Sequence, residues 1–477
     1  MVFLVEYKNM KKILGIVLLI IVLVALYNRF KPLPNGISEK WESHYVPGEN
    51  ISFIYDETYV NKSGERFVNQ NIFDEVMSMI DRADKYILID MFLFNNFQGE
   101  NIEDTRLISS ELTQKLIDKS DDVAITFITD PINSIYGGIE ADNLKRLEEA
   151  GVNVVITDLT DLRDSNIIYS TFWRLGLRYL PLDFIKLSNP FAENPEKVGL
   201  NSFIDLLNLK ANHRKLIVAD QGDKMITLVT SANPHDGSSA HGNVALRVED
   251  KIWRDVLDSE VAIGNFSDDE VEDYTGDVRD ENGGVEVRLI TEGEIRRSVI
   301  DNISMTSLGD NISIGMFYLS EKRIVRELVR ASKRGVNIRV ILDPNKDAFG
   351  KEKNGIPNRV VANDLIKAGV ELRWCDTHGE QCHGKMMLIS DISKATLILG
   401  SANYTRRNIK DFNLETNIIV KGTRNYEVFR DAESYFSRLW NNEGGRIYTV
   451  EAEEYTDKSL VKRATYNVME ITGLSSF

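Results

Sequence analysis

Two short stretches hold residue types that can act together on one substrate. The first runs Asn212-His213-Arg214-Lys215, then an apolar segment, then Asp220. The second runs Cys382-His383-Gly384-Lys385, then an apolar segment, then Ser390-Asp391. A Ser-Ala-Asn triplet follows each, Ser231-Ala232-Asn233 and Ser401-Ala402-Asn403, with 20 positions from histidine to asparagine in both. On a strand, residues two apart share a side, so each imidazole is expected beside an ammonium group. This set suits a phosphate: Lys215 and Lys385 neutralise its charge, while Ser231, Asn233, Ser401 and Asn403 donate to its non-bridging oxygens. Two such sets facing each other enclose one phosphorus, with one imidazole attacking and the other protonating the leaving oxygen. The lysines supply the charge, so neither a metal nor a cofactor is expected. Singly these residues are ordinary: a histidine at a strand start is usually structural, and Ser-Ala-Asn is usually a turn. The matched spacing of two copies carries the inference.

With these motifs the chain resembles the phospholipase D superfamily, whose signature is two His-x-Lys-x4-Asp motifs, each trailed by a Gly-Ser-x-Asn-like element. The resemblance spans about Ile51 to Asn441. Gly400-Ser401-Ala402-Asn403 matches the trailing element, and Thr230 replaces the glycine in the first copy. It implies His213 as nucleophile, His383 as general acid and base, a supporting role for Asp220, and Glu415 as the acid that orients His383. The residues alone do not separate the roles of the two histidines. Two departures stand out. Ser390 sits where aspartate is expected, with Asp391 one place late. Asn243-Val244-Ala245 offers no acid after the first asparagine, which leaves His213 to Asp236 or a backbone carbonyl. Likeness of fold indicates reaction type better than substrate. The leading reading is a phosphodiesterase or phosphatidyltransferase acting on phospholipids, similar to cardiolipin synthases and phospholipases D. A nuclease for single-stranded nucleic acid and a non-catalytic binding module are the alternatives.

The elements that must position these motifs recur in one order. Strand-like Tyr86 to Phe94, helical Ser109 to Lys119, strand-like Val123 to Ile128, helical Ile139 to Ala150 and strand-like Val152 to Ile156 precede the first motif. Asn311 to Tyr318, Glu321 to Lys333, Val336 to Leu342, Asn358 to Ala368 and Gly369 to Arg373 repeat that order before the second. Asp343-Pro344-Asn345 echoes Asp130-Pro131-Ile132-Asn133. An offset of 170 residues between the motifs suits two equivalent lobes rather than a solenoid. The expected fold is α/β: two similar phospholipase D-like lobes related by a pseudo-twofold, each a mostly parallel mixed sheet flanked by helices, plus an N-terminal membrane helix. The expected divisions are anchor and linker 1–36, first lobe 37–275, second lobe 285–445 and a tail 446–477.

Residues Ile13 to Tyr27 are apolar and uncharged, bracketed by Lys11, Lys12, Arg29 and Lys31. They read as an uncleaved anchor with an extracytoplasmic body, or else as a signal-peptide core. An insert at 158–210 interleaves aromatic, aliphatic and arginine residues, which suits a lipid headgroup region or a helical cap on the first lobe. A net charge of −16 lowers the expectation of a nucleic acid partner and leaves phospholipid and membrane as the favoured ones. Cys375 and Cys382 can form one bridge in an oxidising compartment. A zinc cluster of these with His378 and His383 is disfavoured, since His383 already belongs to the repeat.

Overall fold

The structure is a computed structural model that describes residues 2–97, 105–189, 191, 196–279, 281–348 and 351–475. Insert residues 190 and 192–195, and residue 280 between the two expected lobes, lie outside the described residues.

Two nine-stranded sheets dominate. Seven strands in each follow one order. In the first sheet it is Ile51–Asn61, Asn243–Glu249, Lys224–Thr230, Lys215–Gln221, Tyr86–Met91, Ala124–Thr129, Asn153–Ile156. In the second it is Val285–Thr291, Thr416–Thr423, Lys394–Gly400, Lys385–Ser390, Asn311–Met316, Asn337–Leu342, Glu371–Cys375. Each sheet is mixed. Parallel pairing is confined to the three strands joined through helices, and the other ladders are antiparallel. The expectation of a mostly parallel sheet therefore fails for a local reason: each motif strand turns straight back into its neighbour, and a tight turn can only pair strands antiparallel.

The helices form where apolar spacing demands. Ile72–Arg82 buries Ile72, Val76, Met79 and Ile80 on one face. Its start is capped by Asp56, which accepts the Asn71 and Ile72 amides. Glu321 caps Lys322–Lys333 in the same way. One apolar core fills the space between the two sheets, and a further core lies under the outer helices of each. Helices Ile252–Phe266 and Glu427–Asn441 sit where the sheets meet, and each touches both.

The lobes exchange their edges. His44–Val46 pairs with Val285–Thr291 of the second sheet, and Arg446–Ile447 pairs with Ile51–Asn61 of the first. Residues 446–475 are thus no tail: Thr449–Glu451 closes the second sheet and helix Leu460–Thr472 packs beside it. At the other end, helix Val2–Phe30 contains a 22-residue apolar stretch, Asn9–Phe30, long enough to cross a membrane.

Candidate active site

Each motif strand enters in the same register, Lys215 opposite Met91 and Lys385 opposite Met316. The next residues, Phe92 and Phe317, form an aromatic floor. The Phe92 ring lies 4.8 Å from the His213 ring and 4.9 Å from the Lys215 ammonium. The Phe317 ring lies 4.9 Å from the His383 ring and 5.3 Å from the Lys385 ammonium. Each lysine reaches back to donate to its own histidine's carbonyl, at 2.7 Å in both cases. The repeated Met-Phe pair was the available signal for this floor, and in sequence it read only as a strand end.

The residues before each histidine are clasped by the opposite lobe. The His213 amide donates to Leu414 O and the Leu414 amide to Ala211 O. Correspondingly, the His383 amide donates to Gly242 O and the Gly242 amide to Gln381 O. Two buried aspartates fix the approach from within each lobe. Asp130 accepts the Asn212 amide and Asp343 accepts the Cys382 amide. Burial pushes their carboxyl pKa values up, to about 7 for Asp130 and about 6 for Asp343. The Asp-Pro echo in the sequence thus marks a positioning pair. The adjoining Cys375 and Cys382 are disulfide-bonded.

This clasp crosses the orienting partners between lobes. His213 Nδ1 faces Glu415 Oε2 at 3.0 Å, and His383 Nδ1 faces Asn243 Oδ1 at 3.1 Å. The expected pairing of Glu415 with His383 is therefore corrected. Glu415 adjoins the second motif in its own sheet, but the interlobe bridge brings it to the other lobe's histidine. Asp236 does not orient His213; it accepts the Ser109 amide at a helix start. Asn243, not Ala245, is the structural counterpart of Glu415, since Ser231 Oγ bonds to Asn243 as Ser401 Oγ bonds to Glu415.

Those two contacts also relocate the serines. Both are buried, and both hydroxyls are directed to the orienting residues rather than into the cavity. Asn233 and Asn403 do line it. Asp220 lies at the far end of its strand, where one carboxylate oxygen accepts the amides of Asp84, Lys85 and Tyr86. It holds the entry to strand Tyr86–Met91 and is remote from the cavity. Its late counterpart Asp391 caps a hairpin turn. His235 is buried against Ser238, whereas His241 reaches the cavity and stacks edge-on to His383 with centroids 5.8 Å apart.

Both imidazoles line one cavity of about 540 Å³. Burial lowers the His213 pKa to about 4, against the opposing pull of Glu415. Burial and the nearby Lys385 hold His383 well below the ordinary imidazole value. Burial brings Lys215 down to about 7, and burial with Lys215 as neighbour lowers Lys385. Both lysines also oppose protonation of the two imidazoles, and Lys215 opposes that of Lys385. Beyond the floor, the wall is aliphatic and aromatic, with Ile132, Tyr136, Leu206 and Leu209 beside Lys210, Lys353 and Arg407. Leu206, Leu209 and Lys210 belong to the insert.

The insert also holds the base of the long apolar helix. Insert helix Ile167–Leu175 packs along it. The Asp164 amide donates to Asn28 O, Arg29 donates to Asp164 O and Lys31 to Thr160 O.

Residues 299–440 match the family described as cardiolipin synthase, PLD-like domain. No curated protein matches the chain. Among solved structures it is similar to phosphatidylserine synthase of Haemophilus influenzae Rd KW20, at 9% identity and a TM-score of 0.54, over 92% of this chain and 96% of that one. It also aligns with polyphosphate kinase from Porphyromonas gingivalis, at 10% identity and a TM-score of 0.43, over 89% and 53%. A third alignment, with Nuc, a phospholipase D family member from Salmonella typhimurium, has 19% identity and a TM-score of 0.28, over 34% and 97%. The first shares the fold; the other two are too distant in geometry to bear on it.

Proposed function

From two matched motifs that open on one cavity, and the likeness of residues 299–440 to a cardiolipin synthase, PLD-like domain, we propose that this chain is a phospholipase D superfamily member that cleaves or exchanges the phosphodiester of a membrane phospholipid through a phosphohistidine. With Nδ1–H of His213 donated to Glu415, Nε2 is the unprotonated atom that attacks phosphorus. The bond from phosphorus to the leaving oxygen breaks as His383 Nε2–H protonates that oxygen. The incoming anion raises the depressed pKa values of both imidazoles and both lysines, so substrate itself supplies the field that lets His383 hold a proton. An acceptor hydroxyl, of water or of an alcohol, then loses its proton to His383 and attacks phosphorus, which frees His213. Asn233 and Asn403 are assigned to the non-bridging oxygens, with Lys215 and Lys385 beneath them.

The observation that carries the lipid reading is the wall: the insert gives the cavity its aliphatic side and holds the base of an apolar helix able to cross a membrane. The disulfide suits a body on the oxidising side of that membrane. The test offers full-length protein in vesicles radiolabelled phosphatidylglycerol and single-stranded DNA side by side. Headgroup release or transfer, with intact DNA, is expected, together with label trapped on His213 after an alkaline quench. DNA cleavage with untouched lipid overturns the proposal in favour of a nuclease; no turnover of either favours a binding module.

A further inference from the structure

Helix Leu460–Thr472 is inside out. Its polar and aromatic side faces the protein: Tyr466 Oη donates to Ser320 O, Arg463 pairs with Asp364, and the Glu470 side chain is buried. Its outward side is aliphatic apart from exposed Thr465. Leu460 is 81% exposed, Val461 75%, Val468 57% and Ile471 74%, with exposed Ala464 between them and exposed Leu474 just beyond the helix. At spacings of three, four and seven these residues make one continuous stripe. A soluble surface helix would show the opposite pattern, so this stripe needs an apolar partner.

Its place in the fold identifies that partner. The helix ends at Gly473, with φ +78°, where an added Cβ would collide with the Ser165 carbonyl of the insert. Arg407 fastens the same junction. It donates to Ser165 Oγ and Leu209 O on the insert, and to Gly473 O (2.7 Å) and Ser475 O beyond the helix. The neighbouring Asp164 receives the end of the apolar helix at Asn28. The aliphatic stripe is therefore joined, through one rigid corner, to the point where the membrane-length helix meets the body. Exposed Ile168, Phe172 and Leu175 of the insert helix lie along that same helix. Arg407, Leu206 and Leu209 at the corner also line the cavity.

We propose that Leu460–Thr472 is a second membrane attachment, lying in the bilayer interface with Val461, Val468 and Ile471 among the acyl chains. It seats the cavity mouth at the headgroup layer. The occupant is the bilayer because the stripe is joined through that corner to a segment long enough to span it, and because in-plane helices bind through such aliphatic faces. The attachment does not depend on the chemistry proposed above; its effect on turnover does.

Full-length Val468→Cys and Ile392→Cys proteins, each carrying an environment-sensitive thiol fluorophore, test this in vesicles containing nitroxide-labelled lipid. Ile392 is 97% exposed on the hairpin turn at the end of the motif strand away from the cavity, and serves as the aqueous control. The Val468 label should shift to the blue and be quenched by the lipid nitroxide, while the Ile392 label should not. A Val468 label that stays aqueous in vesicles overturns the proposal. So does one that becomes shielded in detergent only as protein concentration rises, which would assign the stripe to a second copy. A triple Val461→Glu, Val468→Glu, Ile471→Glu protein should lose about tenfold in turnover of bilayer lipid and retain turnover of a water-soluble short-chain phosphodiester. If the label is quenched and no phospholipid is turned over, the attachment stands and the proposed reaction falls.

Discussion

The two imidazoles occupy matched places in unmatched surroundings. Behind His213, Glu415 lies next to a second acid, Glu292, which accepts the Glu415 amide at 3.0 Å. Arg214, the middle residue of the first motif, is fully buried there and pairs with Glu292 and Glu260 at 2.7 Å each. Behind His383, the equivalent strand pair sets Asn243 opposite Asp56, as the partner sheet's ladder runs on to set Glu415 opposite Glu292. Here the middle residue of the motif is Gly384, which brings no cation. Asp56 is consequently pushed up to about 7 by burial. A second carboxylate beside it would have no counter-charge, and an amide takes its place. The difference teaches that an orienting residue is selected by the charge behind it as much as by the ring before it. Where a buried arginine balances the acids, the histidine receives a carboxylate able to stabilise a positive charge on the ring. Where it is missing, the histidine receives only a neutral acceptor, which fixes the tautomer and leaves the proton easy to give up.

The largest effect expected from breaking this asymmetry is in covalent attack. His213→Ala should remove the trapped phosphoenzyme and lower turnover about 10⁴-fold or more, whereas His383→Ala should still accept label on His213 from a substrate with an acidic leaving group. Rapid-quench labelling distinguishes them; equal labelling of both variants would reverse the assignment. Next, Glu415→Gln keeps the hydrogen bond and removes the charge, and should cost about 10³-fold in kcat with little change in KM. An equal loss in Asn243→Ala would indicate that geometry, not charge, sets the difference.

Stability should respond unequally on the two sides. Arg214→Met strands two buried carboxylates and should cost about 3 kcal/mol or more by urea denaturation. Asn243→Asp should cost less, about 1–3 kcal/mol at pH 8, and less again at pH 5. The sign follows from Asp56, whose folded pKa is raised: its penalty is absent below the ordinary carboxylate range and grows as pH rises towards 7, where both carboxylates ionise. The smallest effect is on ligand binding. Lys215, brought down to about 7, needs an anion to stay charged, so tungstate affinity measured by calorimetry should fall as pH climbs above 7, with protons taken up on binding.

Local order was readable from residues in sequence because it depends on near neighbours. The helices at 108–119 and 322–333, the strands that precede each motif, and the pairing of histidine with lysine all follow from periodicity over a few turns. The cavity-lining asparagines were readable too, through their repeated distance from the histidines. What misled was the assumption that a lobe serves itself. Order along the chain assigns Glu415 to the nearer motif, and counting from the asparagines makes Ala245 its counterpart. The true counterpart is two positions earlier, because the two connections from asparagine to strand differ in length: ten residues from Asn233 to Asn243, twelve from Asn403 to Glu415. Phe92, Phe317, Asp130 and Asp343 left a trace as duplicated dipeptides, but nothing in a dipeptide tells which way a side chain points.

By itself the amino-acid sequence determined that this protein has two copies of one His-x-Lys and Ser-Ala-Asn motif, an apolar segment of membrane length and an acidic body. Residue type and spacing are local properties, and they suffice for that much. Only the tertiary structure decided which partner each imidazole receives, that both rings open on one cavity, and that the stripe on helix Leu460–Thr472 faces outward. The first two rest on backbone bridges between residues some 140 to 200 positions apart, such as His213 with Leu414 and His383 with Gly242. Contacts of that range are set by how two sheets close on a shared core, which no short window of sequence contains.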